Sequence, residues 1–242
     1  MMQEHLREGT GEALLCDAAL SAQVDGAWFD PASWRARGAL RAQAGGRGGV
    51  AVIDTPAGEC VLRHYRRGGM VAALLGDRYL WTGAGRTRGF AEFRLLVAIE
   101  RLGLPGPRPV AARYVRRGPF YTADLITRRI ADARTLAECL AAGALDAELA
   151  EEVGALVARF HREGIWHADL NAHNVLVAPV QLYLIDFDRG RQRLPAEGWR
   201  RANLRRLRRS LLKLGAAAQG VEAFEREVWK PLLHGYERTF RS

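Results

Sequence analysis

Four residues with chemistry to offer stand close together in the last third of the chain. His167, Asp169 and Asn174 lie in His167-Ala168-Asp169-Leu170-Asn171-Ala172-His173-Asn174. Asp186 follows in Leu184-Ile185-Asp186-Phe187-Asp188. The first segment reads H-x-D-L-x-x-x-N. The second is D-F-x at the end of an apolar run. Asp169 to Asn174 is five positions and Asn174 to Asp186 is twelve, which suits a loop, a strand pair and a return to the same place. Phosphoryl transfer to a hydroxyl needs a carboxylate that orients the hydroxyl and accepts its proton, and Asp169 fits. It also needs hard oxygen ligands for Mg²⁺ on nucleotide phosphates, and Asn174 and Asp186 fit. His167 is expected to brace the loop. The spacing His167-x-Asp169-x-x-x-His173 also suits a metal-hydrolase cluster, but that reading leaves Asn174 without a task.

The elements that must position these residues follow from patterning. Strand candidates are 38–43, 50–53 and 60–65, with Gly45-Gly46-Arg47-Gly48-Gly49 ahead of Val50 and turn chemistry at 55–58. A glycine loop there is a plain hairpin or a phosphate lid, with Gly46, Gly48 and Gly49 as the candidate backbone. Residues 88–102 read as a helix stopped by Gly103. Residues 110–115 and 120–127 read as a hairpin around Arg116-Arg117-Gly118-Pro119. From about 128 the character turns helical, with candidates at 135–142, at 200–214, at 221–238 and after a cap at Asp146. Short strands are expected at 175–177 and 182–185. Residues 1–30 give weak signals. The expected class is α+β with two lobes: a β-rich, nucleotide-binding lobe over 1–127 with one helix, and an α-rich lobe over 128–242 that carries the catalytic loop.

The chain has 242 residues, with 48% hydrophobic and 26% charged, ordinary values for a globular protein. The net charge is +9, and 34 arginines stand against two lysines, Lys213 and Lys230. The first 212 residues therefore exclude lysine chemistry: Schiff bases, a Walker-type phosphate loop, an ordinary kinase lysine. The basic balance points to anionic partners. Cys16, Cys60 and Cys139 are widely spaced and suit a reducing compartment. No signal peptide or membrane span is expected. No nucleic-acid motif is present.

With these motifs in this order, the chain resembles the protein-kinase-like fold. The resemblance implies that Glu92 is the helix glutamate. It implies that Ile126 to Ile130, Arg128 included, form a hinge facing adenine through backbone groups, with ATP and Mg²⁺ between the lobes. Arg63, in Val61-Leu62-Arg63-His64-Tyr65, takes the place of the lysine on the third strand, and an Arg63–Glu92 pair reaching ATP phosphates is expected. Asn171 stands where Ser/Thr kinases have lysine. Only 13 positions separate Asp186 from Trp199. That leaves little room for a peptide-binding segment and favours a small-molecule or glycan acceptor. Asp188 in place of the usual glycine argues against a mobile switch.

Within this fold the chain is similar to the 3-deoxy-D-manno-octulosonic acid (Kdo) kinase family, related to lipopolysaccharide core heptose kinases. The matching stretches are 62–69, 104–111, 167–174, 185–191 and 203–210. The resemblance implies ATP-dependent phosphorylation of a Kdo hydroxyl, the 4-hydroxyl by kinship, on a lipid A precursor at the cytoplasmic face of the inner membrane. Arg66, Arg67, Asp188 and Arg189 are the candidate acceptor-binding residues. The basic and apolar segment 66–89 is a candidate for contact with an anionic membrane. Other small-molecule or protein kinases of this fold, and an inactive anion-binding module, are the alternatives.

Overall fold

A computed structural model describes residues 2–44, 49–66 and 76–242. The chain divides into two compact units, Met1–Ala98 with Pro107–Arg129, and Ile99–Gly106 with Ile130–Ser242. The first is built on strands and the second on helices. Gly46, Gly48 and Arg67 lie outside the described residues, as do Met70, Val71, Leu74 and Leu75 of the expected membrane segment.

The first unit is one antiparallel sheet. Its strands are β1 (Glu4–Gly9), β2 (Glu12–Asp17), β3 (Leu40–Ala44), β4 (Gly49–Thr55), β5 (Gly58–His64), β6 (Tyr79–Leu80), β7 (Pro109–Arg117) and β8 (Phe120–Arg128). The order is β1-β2-β7-β8-β5-β4-β3, with β6 on β8. Alternation in β4 turns Ala51, Ile53 and Thr55 inward. Ile53, Cys60, Leu62 and Ile126 meet Trp28, Phe29 and Trp34 in one core. Trp34 donates its indole N–H to the Trp28 carbonyl (2.7 Å), so this aromatic corner buries no unpaired donor. The N-terminal hairpin β1–β2 escapes sequence reading for a physical reason. β1 is exposed at every position and carries a single large apolar residue, Leu6, so it shows no alternation.

Helix α1 (Pro31–Ala36) is capped by Asp30, whose carboxylate accepts from Ala32 N–H. Helix α2 (Arg88–Arg101) lays Phe90, Phe93, Leu96 and Val97 on the core. Gly89 lets it come close, because a Cβ there would lie 2.8 Å from the Asp124 carbonyl oxygen of β8. That close approach carries Glu92 toward β5.

The structure corrects one expectation about the hinge. Ile126 is fully buried inside β8, paired with Leu62 on one side and Ala111 on the other. A central strand uses its backbone groups in the ladder, so those of Ile126 cannot face a base. Arg128 N–H is taken by the Arg108 carbonyl (2.8 Å), and Arg129 N–H by Glu59 (3.0 Å). The Arg128 guanidinium lies over Gly58, where a Cβ would collide with it.

The second unit holds α3 (Leu136–Ala141), α4 (Ala147–Arg162), α5 (Glu197–Lys213), α6 (Val221–Phe224), a π turn over Glu225–Trp229, and α7 (Lys230–Arg241). Thr135 and Glu138 form a capping box on α3, and Asp146 caps α4 by accepting from Leu149 N–H (2.9 Å). Helices α4 and α7 cross at two glycines. A Cβ at Gly154 would fall 1.9 Å from the Leu232 carbonyl, and one at Gly235 would fall 2.1 Å from that of Glu151. Around the helices run β9 (Arg134–Thr135), β10 (Ile165–Trp166), β11 (Val175–Val177), β12 (Leu182–Leu184) and β13 (Arg191–Gln192). β11 pairs with β9 and β12, and β10 pairs with β13.

Candidate active site

In the first unit, Arg63 on β5 is ion-paired to Glu92 on α2. Tyr65 joins the pair. Its hydroxyl donates to Glu92 Oε2 at 2.6 Å and accepts from Arg63 Nη2 at 3.2 Å. Glu92 is 3% exposed, and both of these partners reach its carboxylate. Burial lifts the Tyr65 hydroxyl far above the usual phenol range, so it remains a donor. The ring of Tyr65 also lies under the Arg63 guanidinium, 4.8 Å from its centroid. Arg63 retains partial exposure, while Glu92 is sealed in.

Gly49 opens β4 opposite His64. The Arg66 guanidinium lies beside it, 3.7 Å from where a Cβ would stand. His64 bridges two acids, Asp124 (2.6 Å) and Asp77 (2.8 Å). The hydrogen bond to Asp124 raises its pKa above the usual histidine value. Arg113 closes the cluster with two bonds to Asp124, at 2.9 and 3.1 Å.

In the second unit, the loop from His167 to Asn174 is held from both sides. Asp169 N–H donates to His167 Nδ1 (3.1 Å), and His167 Nε2 lies 2.9 Å from the Ile185 carbonyl. Nδ1 is thus the acceptor and Nε2–H the donor. The ring is neutral, and burial pushes its pKa down. With both nitrogens committed, His167 cannot ligate a metal, and the hydrolase alternative loses its first ligand. Asn171 donates to the Asp169 carbonyl (2.9 Å) and accepts from His173 N–H (2.8 Å). Asn174 also donates to the Asp169 carbonyl (3.0 Å), which turns its Oδ1 the other way. Ile185 N–H donates to the Asn174 carbonyl (3.0 Å), so Asp186 is brought beside Asn174. Two hard oxygen donors on adjacent backbone fit Mg²⁺.

Asp186 has φ +61, a left-handed conformation. It lets the chain turn out of β12 while Phe187 turns in. Phe187 is fully buried, stacked on Phe160 (5.5 Å) and tilted against His167 (4.9 Å). Asp188 is mostly covered, and Arg189, also left-handed, points to solvent with its Nε 3.8 Å from the Asp188 carboxylate.

Three residues that sequence reasoning did not single out hold this loop from α5. Asn203 donates to the His167 carbonyl (2.9 Å). Ser210 accepts from Ala172 N–H (3.1 Å). Arg206 donates to Asp169 Oδ1 (2.7 Å). Positions 203, 206 and 210 share one helix face. The signal was present as Asn203-Leu204-Arg205-Arg206-Leu207-Arg208-Arg209-Ser210. In that stretch Leu204, Leu207 and, just beyond it, Leu211 form a buried stripe, so helical spacing by itself leaves the polar positions beside them looking solvated. Asn203 is only 2% exposed, and it also faces His161 Nε2 (3.3 Å). His161 is buried too, with Nδ1 2.9 Å from the Tyr236 hydroxyl, and burial pushes its pKa down to about 3.

Comparison with known proteins shows the family of the chain. The lipopolysaccharide kinase (Kdo/WaaP) family model matches residues 31–236. A 3-deoxy-D-manno-octulosonic acid kinase of Xanthomonas axonopodis pv. citri is 52% identical over 210 residues, covering 86% of this chain and 84% of that protein. One from Stenotrophomonas maltophilia is 49% identical over the same length and the same shares. A solved structure of WaaP in complex with acyl carrier protein matches with a TM-score of 0.57 at 19% identity, over 93% of this chain and 88% of that one. That likeness supports a kinase-like α+β fold.

Proposed function

Because the chain belongs to the lipopolysaccharide kinase (Kdo/WaaP) family, we propose that it transfers the γ-phosphoryl group of ATP to a hydroxyl of Kdo on a lipid A precursor, in lipopolysaccharide core biosynthesis. What supports the chemistry is that Asn174 donates to the Asp169 carbonyl and accepts, at its own carbonyl, from Ile185 N–H, which ties the loop of Asp169 to the strand end that carries Asp186. The finer assignment is the 4-hydroxyl.

In this reading Asp169 orients the acceptor hydroxyl and takes its proton. Asn171 and His167 fix the loop around it. Asn174 and Asp186 would hold Mg²⁺, which neutralises phosphate charge when bound. Nucleotide binding belongs to the first unit. Arg63, steadied by Glu92 and Tyr65, meets ATP phosphates there, and Gly49 borders the glycine-rich approach. An arginine suits this place, because its fork can serve a carboxylate and a phosphate together. Arg66 and Arg189 are the described cations assigned to the anionic acceptor, with Asp188 holding Arg189.

The same reading puts the protein at the cytoplasmic face of the inner membrane as a peripheral enzyme. Among the described residues no helix is long and apolar enough to cross a membrane. Attachment would rest on basic and apolar surface against anionic lipid.

Product analysis with purified Kdo-lipid A precursor and labelled ATP tests the proposal. Label on the Kdo hydroxyl is the expected result. Transfer to peptides or aminoglycosides, with none to the glycolipid, overturns it.

A further inference from the structure

Asp169 does not stand alone at the surface. Arg206 Nη1 donates to its Oδ1, and the two side chains are 45% and 56% exposed, so a ligand can reach both heads. A guanidinium carries five N–H donors in a planar fork. Among the described residues only Nη1 of Arg206 has a protein partner, which leaves the Nε–Nη2 edge available. The mount is firm, since Asn203 and Ser210 on the same face of α5 pin the loop backbone at His167 and Ala172. The loop's own neighbouring position, Asn171, is neutral. Arg206 is therefore the cation that accompanies Asp169.

This arrangement solves a problem of charge. A sugar acid brings a carboxylate toward a site whose central group is itself a carboxylate. Two like charges a few ångströms apart repel, and they do so more strongly near a protein surface than in water. A guanidinium between them reverses the sign. Its fork also matches carboxylate geometry edge to edge. We propose that Arg206 receives the carboxylate of the sugar-acid acceptor on its Nε–Nη2 edge while Nη1 holds Asp169. The anchored acceptor then presents a ring hydroxyl to Asp169 Oδ2, which otherwise accepts one long bond from Asn171 Nδ2 (3.3 Å). Arg206 selects acidic sugars over neutral ones. The inference rests on the reading of Asp169 as the group that takes the hydroxyl proton.

The test crosses protein and substrate. The full-length protein is assayed as wild type, Arg206→Gln and Arg206→Lys. Each is given Kdo-lipid A precursor and the same acceptor with its Kdo carboxylate converted to a carboxamide. With the acid, Arg206→Gln is expected to raise acceptor KM at least about tenfold, the loss of a charge-assisted bond pair. Arg206→Lys is expected to recover part of it. With the carboxamide, wild type and Arg206→Gln should differ by less than about twofold. Arg205→Gln, one position along the helix, controls for surface charge and should leave both KM values unchanged. An equal loss with both acceptors means that Arg206 only positions Asp169, and it overturns the proposal. So does no loss with either. If Arg206→Gln melts below assay temperature, Arg206→Lys and the carboxamide alone still decide. Asp169→Asn is run beside them. Substantial turnover in that variant removes the underlying reading, whatever Arg206 does.

Discussion

Tyr65 and Arg63 bond the same oxygen of Glu92, one as a neutral donor and one as a cation. The tyrosine thus shares the task that an ion pair would otherwise carry alone. It also sets the position of the arginine head, which lies over its ring.

Arg63→Lys separates charge from geometry. An ammonium has no fork with which to hold Glu92, the Tyr65 hydroxyl and a phosphate together. Turnover is expected to fall about tenfold or more with a higher KM for ATP. Unchanged steady-state constants would show that the arginine is a passenger of composition.

Tyr65→Phe removes one hydrogen bond to a buried charge. The expected cost is about 1.5–3 kcal/mol, read by chemical denaturation. A change of a few tenths would mean that Glu92 does not depend on the Tyr65 hydroxyl.

Asp186 combines a proposed metal ligand with a left-handed backbone. Asp186→Gly and Asp186→Ala should both abolish turnover. Glycine accepts φ +61 freely and alanine does not, so the glycine variant should be more stable by about 1 kcal/mol. Equal melting of the two would refute the strain argument.

The two units respond oppositely to protons. His161 and His167 have pKa values pushed down by burial, so the folded second unit resists protonation that the unfolded chain accepts. Their contribution falls as pH drops below about 6.5, and for His161 it goes on falling toward about 3. His64 has a raised pKa, held by Asp124 and Asp77. Its contribution is full below about 6.5 and is lost as pH rises through the folded value. Hydrogen exchange at pH 5 and pH 8 should show the helices protected more at pH 8. Around His64 the sheet should be protected more at pH 5. The same trend in both units would contradict this.

Asn203→Ala leaves the His167 carbonyl unpaired in the interior. A loss of about 1–3 kcal/mol is expected, with kcat reduced more than KM because the loop is displaced. Full activity with full stability would show that the loop holds its own shape.

Much of this was legible from residue types. H-x-D-L-x-x-x-N followed by D-F names its own chemistry, and Asp146 marks a helix start as any capping aspartate does. The absence of lysine before Lys213 left Arg63 as the third-strand cation, and the structure pairs it with Glu92. Three things were hidden. β1 lacks alternation because both its faces meet solvent. That Ile126 spends its backbone in the sheet was hidden because the resemblance to a hinge overrode the strand pattern over 120–127 that already contained it. The face of α5 that carries Asn203, Arg206 and Ser210 resembles a solvated helix side, and only tertiary contact shows that two of its polar groups are spent on backbone.

That helix face also has a consequence for how the enzyme comes into being. The motif ends at Asp188 and α5 begins at Glu197, so synthesis completes the motif before the helix that mounts it. Until α5 docks, the His167 carbonyl and Ala172 N–H lack their partners and Asp169 has no counter-charge. The nascent chain therefore carries every letter of the motif while its loop still lacks its mount. A fragment ending before Glu197 would hold the motif and remain inert, because it lacks both the mount on α5 and α7, which packs on α4.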